Sequence, residues 1–587
     1  MKQIEPKKKL NKVQEEDLEE RAQSIKWALE SRIKQYTPNY ETACLCVIYM
    51  AIKTCGLYDN SLELDYFEIA NRLEDAEITR YILNIINDDI WNATKEICYG
   101  TSKDILERIP FLTDTYSGKS GELSTPKSIC NLAKEVLKIS KNETIADICC
   151  GKGNFLINTY LDSPDNKFYG IDNNTDCVYV TKMRFDLLSN GEEKNIEIIQ
   201  DSIFNINYNE TKFDKIFSHY PFGMRAKYNH EMFDYLRQFN DFGFTDGTSS
   251  EWIFNSIIQR KLTEKGKAVV IMPNSPLFRL GNDEKIREQF INNGYIEAII
   301  ALPKNMFDYT AIPTSMVILG RNNKNSIRMV DAASCFEVAR RINVLSDKNI
   351  DTIIKSLSVD SDISREVDVQ ELKDNDYNLL PQRYLNNTID FKNGVEFGSI
   401  IKSITRGAGI SASELDKISS TEKTDYQYIM LANIKGGIID SNLPYITEIP
   451  KKYDRYCVNN NNLLLSKNGA PYKVAVATVN KNSKVLANGN LFVIEVDEEM
   501  ADPHYLKAFF NSQEGNKVLS SLSSNGSIPS ISVNDLKKVK IPLPSLKIQN
   551  DISKDFLILE DEIKVLEKKI SKCREKLVGI FNEKEVN

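Results

Sequence analysis

Histidine is scarce: the 587 residues hold three, His219, His230 and His504. A histidine-rich metal centre and an H-E-x-x-H protease are thereby excluded. The eleven cysteines contain no C-x-x-C pair. Odd in number and thinly spread, they fit free thiols in a reducing cytosol, and neither a disulfide framework nor a structural zinc site is expected. No apolar run approaches the ~18–20 residues of a membrane span. The opening MKQIEPKKKLNKVQEEDLEE has no apolar h-region, so Sec export is not expected and the chain reads as cytoplasmic. The pattern G-x-x-x-x-G-K-[ST] is also missing, which removes a helicase-type phosphate loop.

What is present is enough for a large folded protein. Hydrophobic residues make up 41% and charged residues 27%, so the chain can bury a core. At roughly 100–200 residues per domain, three to five folding units are expected. The net charge is −8, which by itself does not suggest a nucleic-acid binder. Residues 391–587, however, carry 27 Lys/Arg against 24 Asp/Glu, a net of +3, while the rest carries −11. That asymmetry permits one basic face on an acidic molecule.

The pattern along the chain divides it into five stretches. Residues 1–115 form a helical domain after a polar start, with Ile25, Leu29 and Ile33 spaced i, i+4, i+8 and a similar stripe from Ile78 to Ile86. In residues 116–345, short apolar runs such as TIADICC, KFYGID, KAVVIMP and TSMVILG alternate with helical patterns. The expectation is an α/β domain with a mostly parallel sheet covered on both faces. Residues 346–390 read as a linker, and 391–546 as an α+β domain with many Gly, Asn and Ser turns. In 547–587 the apolar residues Ile552, Phe556, Leu559, Ile563, Leu566, Ile570, Cys573, Leu577 and Ile580 alternate spacings of four and three. So narrow a seam predicts a coiled-coil helix that needs a partner; a helix packed on its own domain would show a broader apolar face.

Chemistry is suggested first at Ile145–Phe155, an apolar strand that runs into Gly151-Lys152-Gly153 and then a helix. Two glycines let the backbone approach a ligand at the carboxyl edge of an open α/β sheet. The third glycine of the dinucleotide fingerprint is absent, and G-x-G alone is weak. Two further strands end in carboxylates, Lys167–Ile171 in Asp172 and Ile196–Gln200 in Asp201. Asp172 is placed for ribose hydroxyls and Asp201 for a base amino group, so a nucleoside across three strand ends accounts for all three positions.

With these pieces in order, residues 117–345 resemble the methyltransferase subunit of Type I restriction–modification systems, the γ-type adenine-N6 DNA methyltransferases. Gly121-Glu122-Leu123-Ser124-Thr125-Pro126-Lys127 resembles the family segment G-x-[FY]-[FY]-T-P-[RK], and Asp147–Phe155 its D-P-A-C-G-T-G-G-F loop. Gly266–Pro273, Ala301–Phe307 and Ile312-Pro313-Thr314 also match. The resemblance implies an S-adenosylmethionine-dependent, Rossmann-like core. Its cofactor site would comprise Thr125, Pro126, Asp147, Cys149, Gly151, Gly153, Asn154, Phe155, Asp172 and Asp201. Ile148, Lys152 and Asn154 stand where the family has Pro, Thr and Gly.

The family's catalytic N-P-P-[FY] is replaced here by His219-Tyr220-Pro221-Phe222. The resemblance implies an adenine flipped from the duplex and stacked on an aromatic ring, its amino hydrogens taken by two acceptors. Phe222 supplies the ring, the Tyr220 carbonyl one acceptor and a His219 ring nitrogen the other. Neutral imidazole can accept a hydrogen bond, and imidazolium cannot. Two readings follow: a working adenine-N6 DNA methyltransferase, or a degenerate methyltransferase-like subunit that recognises DNA and scaffolds a partner. Methylation of RNA or protein is a third, set against a recognition-like domain downstream.

Residues 391–587 resemble one target-recognition half of the specificity subunit of the same systems. The resemblance rests on Phe397-Gly398-Ser399-Ile400, Thr405-Arg406-Gly407, Leu463–Gly469, Ser527–Ser532 and Ile541-Pro542-Leu543-Pro544. Arg406, Lys467 and Asn468 are candidates for phosphate or base contacts in double-stranded DNA. A single recognition domain with one unpaired helix implies a homodimer, or a complex with a separate specificity or restriction subunit through the coiled coil.

Overall fold

The computed structural model describes residues 12–583 apart from 55–64, 113–123, 190–194, 206–210, 226–229, 246, 308–309, 311, 322–324, 340–341, 386–390, 392–393, 470, 481–482 and 523–529. Gly121-Glu122-Leu123 and Ser527-Ile528-Pro529 therefore lie outside the described residues, as does the side chain of Ile580. The chain forms two compact units, Met1–Pro381 and Gln382–Asn587.

The first unit is organised by nine strands: β1 (Thr144–Ile148), β2 (Lys167–Asp172), β3 (Ile196–Gln200), β4 (Phe213–Ser218), β5 (Leu262–Pro273), β6 (Ile296–Ala301), β7 (Thr314–Leu319), β8 (Ser326–Asp331) and β9 (Ser364–Asp368). Their order is β9-β8-β6-β7-β5-β4-β1-β2-β3. Neighbours are parallel except where β7 and β9 pair. Every residue of β7 is buried, which is why these strands read as continuous apolar runs rather than alternating ones. Register then does the positioning. Ile148 lies opposite Ile171 and Ser218, Asp172 opposite Gln200, and Ser218 opposite Val270. The segments that follow β1, β2, β3 and β4 consequently leave the sheet at one edge.

Helices α1 (Lys12–Ile33) and α2 (Tyr40–Thr54) belong to a helical layer whose core holds Leu29, Ile33, Val47, Ile48, Ile82 and Trp91. Val180 and Met183 of a sheet-flanking helix share that core, so the layer is welded to the sheet and forms no separate unit. Tyr49 strengthens the weld by donating its hydroxyl to Asp186 at 2.6 Å. The reading of 346–390 as a linker is corrected over most of its length. Helix Asp347–Ser356 is capped by the Ser346 side chain, and β9 pairs antiparallel with β8 as the sheet's outermost strand. Buried Arg287 then ties the following segment down by donating to the Tyr377 carbonyl at 2.7 Å. The stretch Ser364–Asp368 is short and charged, as an edge strand tolerates, and so carries little periodic signal.

Three further helices flank the sheet: α3 (Lys127–Leu137), α4 (Asn154–Asp162) and α5 (Thr175–Ser189); α6 (Ser250–Lys261) precedes β5 directly. Among the described residues, no helix is long and apolar enough to cross a membrane.

The second unit contains a four-stranded sheet of β10 (Ile401–Arg406), β11 (Leu463–Ser466), β12 (Val474–Val476) and β13 (Leu491–Val496), in the order β10-β13-β11-β12. Phe397, Leu463, Leu465, Phe492, Ile494 and Phe510 are among the residues of its core. Helix α7 (Pro503–Asn511) carries the root of the 38-residue α8 (Leu546–Glu583). Gln549, Ser553 and Glu560 of α8 are buried, and Lys507 of α7 forms a buried ion pair with Glu560. From Asp561 to Leu577 every residue is exposed. The helix thus docks through a mostly polar face and leaves the apolar seam in solvent, with Leu566 at 55% and Leu577 at 66% exposure.

Candidate active site at the sheet edge

After β1 the backbone turns through three residues at positive φ, Cys149 (66°), Gly151 (51°) and Gly153 (77°). A Cβ at Gly153 would lie 2.6 Å from the Thr181 methyl, so glycine is required there for space as well as conformation. The turn is pinned to β2: the Cys149 and Cys150 N–H groups donate to the Ile171 carbonyl at 2.9 and 3.0 Å. Gly151 N–H donates to Asp172 Oδ2 at 2.8 Å, and Asn174 N–H to Oδ1 at 2.9 Å. Each Asp172 oxygen retains a further lone pair for a hydroxyl donor. Asp201 lies beside it, its N–H donating to the Asp172 carbonyl at 3.0 Å.

Asp147 is 2% exposed, and its Oδ1 has no hydrogen-bond partner. Burial, then the charge of Asp172, hold its carboxyl well above the usual carboxylate range. An unsatisfied buried oxygen is costly unless a ligand completes it. Three carboxyl groups beside a turn with no room for a side chain at Gly153 suit a cationic nucleoside. S-adenosylmethionine, with its sulfonium and ammonium charges, meets that description.

The other half of the site follows β4. His219 is 4% exposed, and its Nδ1 lies 2.9 Å from Thr125 Oγ1. Its ring packs against Phe222 and Phe307, with centroids 5.5 and 5.0 Å away. Burial lowers its pKa to about 3, so the ring is neutral throughout the physiological range. Tyr220 is buried, its ring stacked on Phe254 at 4.6 Å and its hydroxyl donating to Asn255 Oδ1 at 2.8 Å. Pro221 is exposed, and Gly223 N–H donates to the buried Glu251 at 2.8 Å. Glu251, Phe254 and Asn255 occupy positions i, i+3 and i+4 of α6 and so share one face. That face clamps the His219–Gly223 loop. Reasoning from sequence missed all three; SEWIFNSIIQRK mixes polar and apolar residues throughout, so no local pattern singled them out.

The two halves are joined by side chains. Asn154 donates through Nδ2 to Ser124 Oγ and the Thr125 carbonyl, both at 3.1 Å, and accepts from Arg184 at 2.8 Å. Asn154 and Thr125 therefore tether protein to protein. Pro126 supplies the N-terminal boundary of α3. Phe155 sits in the core, 1% exposed and stacked on Phe217 at 4.4 Å, below the edge where Asp172 and Asp201 end their strands. Among the described residues, no group of three His, Cys, Asp or Glu side chains is arranged to hold a metal.

In the second unit the structure brings Arg406, Lys467 and Asn468 together around Gly489-Asn490. Arg406 Nε donates to the Gly489 carbonyl at 2.8 Å, Lys467 N–H to the Asn490 carbonyl at 2.8 Å, and Asn468 Nδ2 to Asn490 Oδ1 at 3.2 Å. Burial and the nearby Arg406 charge lower the Lys467 pKa.

The strand order and the edge built by β1, β2, β3 and β4 define an S-adenosylmethionine-dependent methyltransferase fold, followed by a separate α+β unit. Residues 105–391 match the N-6 DNA Methylase family and residues 392–573 the Type I restriction modification DNA specificity domain. Residues 105–391 thus carry an N-6 DNA methylase domain, with a type I specificity domain joined behind it. S-adenosylmethionine is that family's cofactor. The chain is 25% identical over 358 residues to the Type I restriction enzyme MjaVIII methylase subunit of Methanocaldococcus jannaschii, covering 57% of this chain and 61% of the relative. It is 30% identical over 290 residues to the MjaVII methylase subunit of the same organism, covering 46% and 50% respectively. The chain thus spans roughly half to three-fifths of these relatives' length. Its fold is similar to the type I restriction-modification methyltransferase subunit of Streptococcus thermophilus, with a TM-score of 0.50 at 19% identity, over 63% of this chain and 99% of that one.

Proposed function

We propose that the chain transfers a methyl group from S-adenosylmethionine to the N6 amino group of a flipped adenine in specific double-stranded DNA. The observation that carries this reading is the buried His219 beside Phe222, on the same sheet edge as Asp147, Asp172 and Asp201. When bound, S-adenosylmethionine supplies an electrophilic sulfonium methyl. Asp172 holds ribose hydroxyls, Asp201 faces the cofactor's adenine, and Asp147 offers the cofactor its unpartnered carboxyl oxygen. Phe222 stacks the extruded target base. His219 and the Tyr220 carbonyl accept the two amino hydrogens, which turns the nitrogen lone pair toward the methyl group. With a pKa of about 3, His219 is a poor base; its task is to accept a hydrogen bond, and the proton shed by the amino nitrogen as the N–C bond forms and the sulfonium C–S bond breaks passes to water. Glu251 and Asn255 hold the loop on which these acceptors sit.

The test incubates the full chain with tritiated S-adenosylmethionine and mixed-sequence duplex DNA, scoring label in N6-methyladenine. Transfer to adenine is expected. Demonstrated DNA binding without any transfer would overturn the enzymatic reading in favour of a recognition scaffold.

Within this proposal Arg406, Lys467 and Asn468 contact DNA, and α8 recruits the partner that completes a bipartite site. A second copy is the partner its charges favour. Glu562 and Glu567 flank the first half of the exposed seam, while Lys569, Arg574 and Lys576 flank the second. Parallel pairing would set like charges opposite one another, whereas antiparallel pairing sets Glu against Lys and Arg. Leu566→Lys combined with Ile570→Lys is therefore expected to convert a dimer into a monomer in sedimentation velocity. A wild-type chain that stays monomeric at micromolar concentration without a second protein would rule self-pairing out.

A further inference from the structure

An asparagine and a histidine differ as hydrogen-bond acceptors in one respect that matters here. The amide oxygen of Asn always accepts. A neutral imidazole has one accepting and one donating nitrogen, and which is which depends on the partner of the other nitrogen. A histidine in the place of an asparagine therefore works only if its tautomer is set. Thr125 supplies the partner of the other nitrogen. Its hydroxyl lies 2.9 Å from His219 Nδ1, and it is 8% exposed. Its main chain is held by Asn154, which is itself held by Arg184. The threonine therefore reaches His219 from a braced backbone rather than a mobile loop.

We propose that Thr125 is a positioning residue whose hydroxyl accepts the Nδ1 proton of His219, leaving Nε2 to accept from the target amino group. This rests on the methyl-transfer reading for its consequence, but the tautomer can be read without catalysis. Burial of the dyad keeps the imidazole uncharged, so only the two neutral tautomers compete.

The test uses the full chain labelled with 15N-histidine. Only three histidines contribute, and the His219 signals are those lost in His219→Asn. The expected result is a His219 protonated on Nδ1 in the wild type, unchanged in Thr125→Ser and shifted toward Nε2–H in Thr125→Val. In methyl transfer, Thr125→Val is expected to lower kcat about 10²-fold with the cofactor KM little changed, and Thr125→Ser to restore it. In a His219→Asn background, Thr125→Val is expected to have little further effect, because the two residues act as a unit. An Nε2-protonated His219 in the wild type overturns the proposal, as does a folded Thr125→Val with wild-type tautomer and kcat. A wild type without methyl transfer but with the Nδ1 tautomer overturns the functional reading alone.

Discussion

Alanine at position 219 is expected to lower kcat for methyl transfer by about 10²–10³, the range seen when one well-placed polar contact to a reacting group is removed. Duplex binding should persist, because Arg406, Lys467 and Asn468 lie in the other compact unit. Phe222 keeps its stacking ring in this variant, so the loss is expected in kcat rather than in KM for DNA. Steady-state rates with tritiated cofactor check this. Unchanged kcat would remove His219 from the chemistry. The same residue makes a second, independent mark on stability. Its pKa falls from 6.5 to about 3 on folding. Between those values the unfolded chain binds a proton that the folded chain refuses, so stability is full above pH 6.5 and declines as pH falls toward 3. From pH 7 to pH 5 that loss is about 2 kcal/mol. His219→Asn should abolish this component, seen as a smaller drop in denaturation midpoint on acidification than in the wild type. The comparison must be made between variants, since buried Asp147 and Glu251, with raised pKa values, act in the opposite direction.

Glu560→Ala is expected to destabilise the second unit by about 3–5 kcal/mol, because it strands the Lys507 ammonium in the interior. Both side chains are almost inaccessible, at 5% and 7% exposure, and burial already lowers the Lys507 pKa. Replacing both partners, Lys507→Met with Glu560→Leu, should come out near neutral or stabilising, since neither charge then needs solvation. The three tryptophans, Trp27, Trp91 and Trp252, all lie in the first unit. Tryptophan fluorescence should therefore show an unchanged transition, while hydrogen exchange in α7 and α8 shows the loss. A single mutant as stable as the double would mean that the ion pair is solvated and does not anchor α8.

Some of this molecule was legible in residues 144–172 and 213–223 before any fold was known. A strand buried on both faces must be apolar along its whole length. A turn that meets a neighbouring side chain at 2.6 Å of a would-be Cβ must be glycine. Such constraints act over a few residues and leave a local imprint. The departure at His219 was equally visible, although its consequence was not. Whether an imidazole accepts or carries charge depends on how much water reaches it, and that is settled by Phe222, Phe307 and the surrounding core.

The same distinction separates α8 from the rest. Its seam was readable because a helix repeats every few residues. That its polar face, through Gln549 and Glu560, would be the buried one depended on where Lys507 lies in α7. The strand Ser364–Asp368 gave no periodic signal, and its place in the sheet comes from pairing with β8, a partner more than thirty residues away. Likewise Thr125 meets His219 across 94 residues, and Glu251 meets Gly223 across 28.

By itself, then, the sequence determined the buried apolar strands, the glycine turn, the order of the loop chemistry and the apolar seam, because each obeys steric and periodic rules acting along the chain. Tertiary structure alone decided that His219 is neutral, which hydroxyl addresses its Nδ1, and which helix clamps its loop. Those properties come from burial and from contacts between distant residues, and no local pattern encodes either.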